Sequence, residues 1–125
     1  MYPNELSLDQ QALRITAWGQ TAANANNKTI KLHFGAAELQ TSGALALNDK
    51  YWRFEAMVGR ITGVSTQTMV SQLSSSDPTL LPTQSVIGSP GQTLSGGIVI
   101  QTSGESAAAV SNDVTGLGLC VEVLN

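Results

Sequence analysis

The chain is poor in charged residues, and this shortage narrows the functions it can have. Asp, Glu, Lys and Arg make up 12% of its 125 residues, about half the usual share. The basic residues form no run, so the clustered phosphate contacts that nucleic-acid binding requires are missing. A surface with few charges favours association with other protein chains over a lone soluble monomer. We therefore expect protein partners and no nucleic acid.

Reactive side chains are equally scarce. The only cysteine, Cys120, excludes an internal disulfide, and the sequence has no Cys–His cluster that could bind zinc. Because His33 is the only histidine, a catalytic triad would need a serine and an acid from elsewhere in the chain. We expect no enzyme activity, no cofactor and no metal. His33 should be an exposed or interface side chain, and Cys120, between two apolar neighbours, a buried or interface thiol.

Long hydrophobic runs are also missing. No stretch of 18 apolar residues occurs, so we expect no membrane span. Residues 1–5 lack the basic start and apolar stretch of a secretory signal. We expect synthesis in the cytosol without export by the usual route. The glycosylation pattern at Asn27-Lys-Thr29 is then a chance match.

Three segments that alternate between apolar and polar residues are the strongest positive signal. They cover Ala12–Gly19, Lys28–Gly35 and Tyr51–Ile61. Alternation at period two predicts β-strands with one face in a core. Shared parity along the three strands predicts that eight side chains are buried together: Leu13, Ile15, Ile30, Leu32, Phe34, Trp52, Phe54 and Val58.

Weaker signals complete an all-β fold. One or two short strands should lie in Ala36–Leu47, and further strands in Ser65–Leu73, Gly97–Ser103 and Val114–Leu124. The last strand places Leu117, Leu119, Val121 and Val123 on one face. The stretch Thr79–Gly97 holds two prolines and four glycines, which predicts a long, partly irregular connection.

About eight strands between turn-rich loops indicate one antiparallel, jelly-roll-like β-sandwich. It should occupy residues 12–125, with residues 1–11 as an N-terminal arm or edge strand.

Several polar-face residues are candidates for contacts with other molecules. Trp18 and Tyr51 have the same parity as the charged residues of their strands, so both should point outward. An outward Trp or Tyr can stack on sugars or anchor a subunit interface, and capping of the core is an equal alternative for Trp18. The candidate subunit-interface residues are Trp18, His33, Tyr51 and Arg53. The acidic residues on strands should mainly form ion pairs with Arg14, Lys31 or Arg53 across strands.

The residues at 13–19, 21–35 and 52–58, with the ending at 111–114 and 121–125, resemble a family of tailed-phage structural domains. The resemblance implies β jelly rolls that assemble as trimers. Such domains occur as capsid decoration (cement) proteins and at the ends of head fibres or tail fibres. Here the domain fills nearly the whole chain without a fibre shaft, which favours the small capsid-bound protein.

We therefore expect a homotrimeric virion protein, made in the host cytoplasm, that binds the major capsid protein on the outer capsid surface of a tailed phage. The candidate capsid-contact arm consists of Tyr2, Pro3, Asn4, Leu6 and Leu8. The alternative is a receptor- or glycan-binding knob of a head or tail fibre. A small hydrolase is a third possibility, and it would require two acidic side chains that face each other across a cleft or a Ser-His-acid catalytic triad.

Overall fold

A computed structural model describes residues 11–63, 66–94, 98–108 and 112–124, and it confirms an all-β, single-domain sandwich. Eight strands and no helix occur in these ranges. The strands are β1 (Ala12–Thr21), β2 (Lys28–Phe34), β3 (Ala37–Thr41), β4 (Tyr51–Thr62), β5 (Thr66–Ser75), β6 (Gln84–Gly88), β7 (Ile100–Ser106) and β8 (Val114–Leu124).

The strands form two antiparallel sheets that pack face to face. The five-stranded sheet has the order β6-β5-β4-β1-β8, and the three-stranded sheet has the order β3-β2-β7. The first strand pairs with the last, and the second pairs with the seventh. This nested pairing makes the sandwich jelly-roll-like.

The eight predicted core residues are all buried between the sheets, at 3% exposure or less. Register explains why they meet: Leu13 lies opposite Val58 on the neighbouring strand, and Ala17 lies opposite Phe54. The rings of Trp52 and Phe54 pack edge to face with centroids 5.8 Å apart. The alternation of the sequence therefore predicted the core correctly.

One strand prediction, that of Gly97–Ser103, needs correction, and the structure makes two others more specific. The stretch Thr79–Gly97, expected to be partly irregular, contains the strand β6, because its two prolines flank this strand and do not interrupt it. β7 covers Ile100–Ser106 and not Gly97–Ser103, and Gly97 lies outside the described residues. Between residues 36 and 47 one named strand forms, since Gly43 turns the chain with a φ of +68°.

The last strand has the predicted apolar face, but the three-stranded sheet does not cover it. Leu119, Val121 and Val123 lie opposite buried residues of β1 and therefore face the same side as the core. They are nevertheless 38–45% exposed. Both β7 and β8 are the last strands of their sheets in the described part of the chain. We call the region between them, with these three side chains, the open side of the sandwich.

Candidate functional site

The outer face of the five-stranded sheet carries a cleft of 210 Å³ near one end of β1 and β4. Its lining includes Trp18, Tyr51 and Arg53, together with the serines at 74–76. Trp18 lies directly opposite Arg53 in the β1–β4 register, and Tyr51 precedes Arg53 by two residues on the same face. Three of the four predicted interface residues thus meet in one place, which we call the outer-face cleft.

Trp18 forms a platform in this cleft because its ring lies on Gly118 of β8. The position that a Cβ would occupy at Gly118 is closest to Cζ2 of the indole and 2.5 Å from both of the ring atoms next to it. These equal, short distances place that position over the face of the ring. One indole face therefore covers the strand, and the side chain is still 42% exposed on its other side. Trp18 does not cap the core, since it points away from it.

Polar groups surround the platform. Nη2 of Arg53 donates to Oε2 of Glu55 at 2.6 Å, so the two charges offset each other on adjacent outward positions of β4. The backbone N–H of Tyr51 donates to Oγ of Ser76 at 3.0 Å, which leaves that hydroxyl its own proton to donate. Tyr51 itself is 55% exposed. The cleft thus combines aromatic surface with hydroxyl and guanidinium groups, and the carboxylate of Glu55 adjoins it through Arg53.

Sequence reasoning missed the three serines as parts of this cleft, and it missed Gly118 as the residue that the Trp18 ring covers. Their positions depend on which strands pair and in which register, and single-strand periodicity does not carry that information. The one available signal was a glycine in a strand, which often marks a close approach by another group.

His33 lies apart from the other three predicted interface residues, on the three-stranded sheet. Its Nε2 is 2.9 Å from Oγ of Ser103 on β7, so the structure supplies a serine partner that sequence did not identify. Glu38 is opposite His33 in the register, but its carboxylate pairs with Nζ of Lys31 at 3.3 Å. His33 is therefore hydrogen-bonded to the hydroxyl of Ser103, while the carboxylate of Glu38 is paired with Lys31.

A second cleft, of 310 Å³, opens on the side where β7 and β8 end the two sheets. Thr102 lines it from β7, and residues 116–119 line it from β8. Leu117 occupies the bulge where the β1–β8 register shifts, and it is exposed. The inward positions of β7 at this point are small, Thr102 and Gly104, so β7 leaves the leucines of β8 uncovered.

Asp113 organises a polar cluster that ties the β1–β2 loop to the start of β8. Its carboxylate accepts hydrogen bonds from Ser106 Oγ (2.6 Å), Asn24 Nδ2 (2.8 Å) and Asn26 Nδ2 (3.1 Å). The bond from Ser106, followed by those from the two asparagines, holds the pKa of Asp113 below its usual value. Nζ of the buried Lys28 donates to Oδ1 of Asn24 at 2.8 Å, so one amide links the two buried charges.

The remaining titratable residues lie mainly on strand surfaces. Arg14 and Glu122 approach to 4.0 Å across β1 and β8, as predicted for a cross-strand pair. Cys120 is exposed, which corrects the prediction of a buried thiol, because the outer face of β8 carries no covering layer. That Cys120 lies at a subunit interface remains a prediction.

Among the described residues, no three His, Cys, Asp or Glu side chains gather as metal ligands. The same residues include no helix long and apolar enough to cross a bilayer.

The candidate capsid-contact arm, Tyr2, Pro3, Asn4, Leu6 and Leu8, lies outside the described residues. No family model matches the chain, and neither a curated protein nor a solved structure is significantly similar to it.

Proposed function

We propose that the protein is a capsid decoration protein of a tailed phage, which binds the outer capsid surface as a homotrimer and stabilises the shell mechanically. The observation that carries this proposal is the open side of the sandwich. Leu119, Val121 and Val123 face the core side of a sheet, yet each is more than a third exposed in the single chain. A core-facing apolar row without a covering layer indicates a surface that works in contact with protein.

A second copy of the chain is the occupant that fits the open side best. β8 is an eleven-residue edge strand, and no described strand pairs with its outer edge beside the apolar row. Natural monomers protect long apolar edges with charges or bulges. Here the bulge at Leu117 precedes the row, and the one charged residue of the strand, Glu122, points to the outer face. A cyclic trimer would place three open sides around its axis and cover all of them.

Capsid binding then supplies stability without chemistry. A protein that binds the assembled shell and not its separated subunits stabilises the shell by mass action. Even about 1–3 kcal/mol for each bound copy accumulates over a lattice with many sites. The major capsid protein is the partner in this proposal, and the arm Tyr2–Leu8 is the segment that contacts it.

Molar mass in solution tests the assembly. Wild-type protein should give three times the chain mass of 13.1 kDa by light scattering after size exclusion. Val121→Asp should give a monomer, because a carboxylate would be buried without a partner in the apolar contact. Met57→Asp is the matched variant, since Met57 is 40% exposed on the opposite face of the same sheet and Val121 is 38% exposed.

A wild-type monomer at micromolar concentration would contradict the trimer. Dissociation by Met57→Asp with an intact Val121→Asp assembly would place the interface on the outer face, where Met57 lies in register with Val70 and Ile87.

The outer-face cleft favours a second candidate function, a receptor- or glycan-binding knob at the end of a head or tail fibre. Trp18 and Tyr51 offer exposed rings there, beside polar groups. Copy number separates the two candidates: a decoration protein should be present in hundreds of copies per purified virion, and a fibre knob in a few. Quantitative gel analysis of virions against the major capsid protein gives this ratio.

A further inference from the structure

We infer that the outer-face cleft binds a neutral pyranose saccharide, with an apolar sugar face on the Trp18 ring and sugar hydroxyls on the Arg53–Glu55 pair. The inference is independent of the proposed trimer. The cleft lies on the outer face of the five-stranded sheet, whereas the open side presents the core-facing row of β8.

The first argument is the presentation of the indole. Gly118 allows the ring to lie on the backbone of β8, so that a whole ring face is offered outward and not an edge. Aromatic rings carry negative charge density on their faces, which attracts the weakly positive C–H groups on the flat side of a pyranose. A ring already fixed in this orientation loses little conformational freedom when a sugar stacks on it.

The second argument is the set of hydrogen-bonding groups beside the platform. A sugar hydroxyl both donates and accepts, so it fits a site that offers both kinds of group. Arg53 supplies donors, Glu55 supplies acceptors, and the hydroxyl of Ser76 still has its proton available. Such a small number of placed polar groups around an apolar surface is typical of ligand sites.

Charge and size narrow the ligand class. The guanidinium of Arg53 is engaged by Glu55 at 2.6 Å, so the cleft has no unopposed positive charge for an acidic sugar among these groups. At 210 Å³ the cleft is below the roughly 300–1,000 Å³ of pockets for drug-sized ligands, which suits one sugar ring and not an enclosed oligosaccharide. A neutral hexopyranose unit at a chain end or branch meets both conditions.

Binding of defined trisaccharides tests the inference. Maltotriose, cellotriose and N,N′,N″-triacetylchitotriose are the neutral probes, and sialyllactose is the acidic comparison. Titration of the full chain at millimolar sugar, followed by NMR spectra, should shift the indole N–H signal of Trp18, whereas backbone signals from the three-stranded sheet, which does not line the cleft, should stay in place.

Four variants then locate the site. Trp18→Ala should weaken binding by roughly five- to tenfold, the loss expected for one aromatic stacking contact. Gly118→Ala should weaken it similarly with Trp18 still present, because the new Cβ would occupy the position of the ring. Gly116→Ala is the matched control, since its Cβ would meet Oγ1 of Thr102 at an ordinary 3.9 Å. Met57→Ala, an exposed apolar residue elsewhere on the same face, is the second control, and both should bind within twofold of wild type.

Three results would overturn the inference. Binding by none of the neutral probes excludes the assigned ligand class, and preference for sialyllactose excludes the neutral assignment. A fall in the molar mass of the assembly on Trp18→Ala would show that the cleft is a subunit contact. The first two results leave the trimer and its Val121→Asp test untouched, so the two proposals fail separately.

Discussion

At the scale of single residues, two glycines decide where the two tryptophans lie. Trp18 covers Gly118 on the outer face, and Trp52 packs against Gly19 inside the sandwich. A Cβ at Gly19 would come within 2.6 Å of the Thr115 carbonyl and of two atoms of the Trp52 ring, so no side chain fits there. Sequence parity predicted correctly which tryptophan points inward. It could not predict the glycine partners, because they depend on cross-strand register.

Asp113 makes the stability of the fold depend on pH. Three hydrogen bonds, the one from Ser106 foremost, lower the pKa of its folded state, so the folded protein binds this proton less readily than the unfolded chain. The stabilisation is fully present above the unfolded pKa of about 4 and is lost as the pH falls through the lower folded pKa. The free energy of unfolding, from urea titrations between about pH 7 and pH 2, should therefore fall in the acid range.

The variant Asp113→Asn isolates this contribution. The introduced amide nitrogen would face donors on Asn26 and Ser106, so the variant should be less stable than wild type at neutral pH. The difference should begin to shrink as the pH drops below about 4, where Asp113 of the unfolded wild-type chain starts to gain its proton while the folded carboxyl stays charged to lower pH. Asp49→Asn, at an exposed position, should follow the wild-type curve. A difference between wild type and Asp113→Asn that stays constant down to about pH 2 would contradict the argument.

At the scale of strands, the clarity of the alternation decided which predictions held. β1, β2 and β4 carry large apolar residues at most of their inward positions, and every core residue predicted on them is buried. The buried Lys28 at the start of β2 was not predicted. β6 and β7 consist mostly of small or polar residues, so their bounds were missed. β5 lies between these cases: Gln67 and Ser71 occupy buried positions in its alternation. Their partners come from distant segments and leave no periodic signal.

Gln67 explains how the segment between β6 and β7 is held on the sandwich. Its Nε2 donates to the carbonyl of Gln92 at 2.6 Å, and its Oε1 accepts from the N–H of the same residue at 2.8 Å. Gln67→Ala should lower the free energy of unfolding by about 1–3 kcal/mol, because both backbone groups of Gln92 lose their partner. Urea denaturation measures this loss, and faster hydrogen exchange at Gln92 should accompany it.

Gln72→Ala is the control for that experiment. Gln72 is the same residue type on the same strand, but it is exposed on the other face. Its replacement should change stability by no more than about 0.5 kcal/mol. Equal effects of the two substitutions would show that the two hydrogen bonds from the Gln67 side chain to the Gln92 backbone do not contribute to the free energy of unfolding.

At the scale of the whole molecule, the two sheets differ in width, and this difference produces the open side. Alternation in β8 predicted which residues share a face, but it carried no information on whether the opposite sheet extends far enough to cover them. The same limit applies to the outer-face cleft. Parity predicted that Trp18, Tyr51 and Arg53 point outward, whereas their meeting with the serines at 74–76 required the β4–β5 register.

Capsid binding by the proposed arm and trimer formation through the open side should be lost independently of each other. Deleting residues 1–8 should leave the sandwich folded, because β1 begins at Ala12 and the core cluster of the described residues begins at Leu13. The truncated protein should still form the trimer, since the open side is intact. It should bind undecorated capsids of the encoding phage weakly or not at all. Full-length protein, added to the same capsids, should raise the temperature at which the shells rupture.

Val121→Asp completes the comparison because it should lose the trimer and keep the arm. A monomer that carries the arm can make one capsid contact where the trimer makes three, so it should bind far more weakly than wild type through lost avidity. Sedimentation of bound protein with capsids and heating of the decorated shells measure both effects. If the truncated trimer protects capsids as well as the full-length chain does, the arm is not the contact. If the full-length trimer neither binds nor protects them, the decoration function fails, and binding to host cells or glycans becomes the role to test.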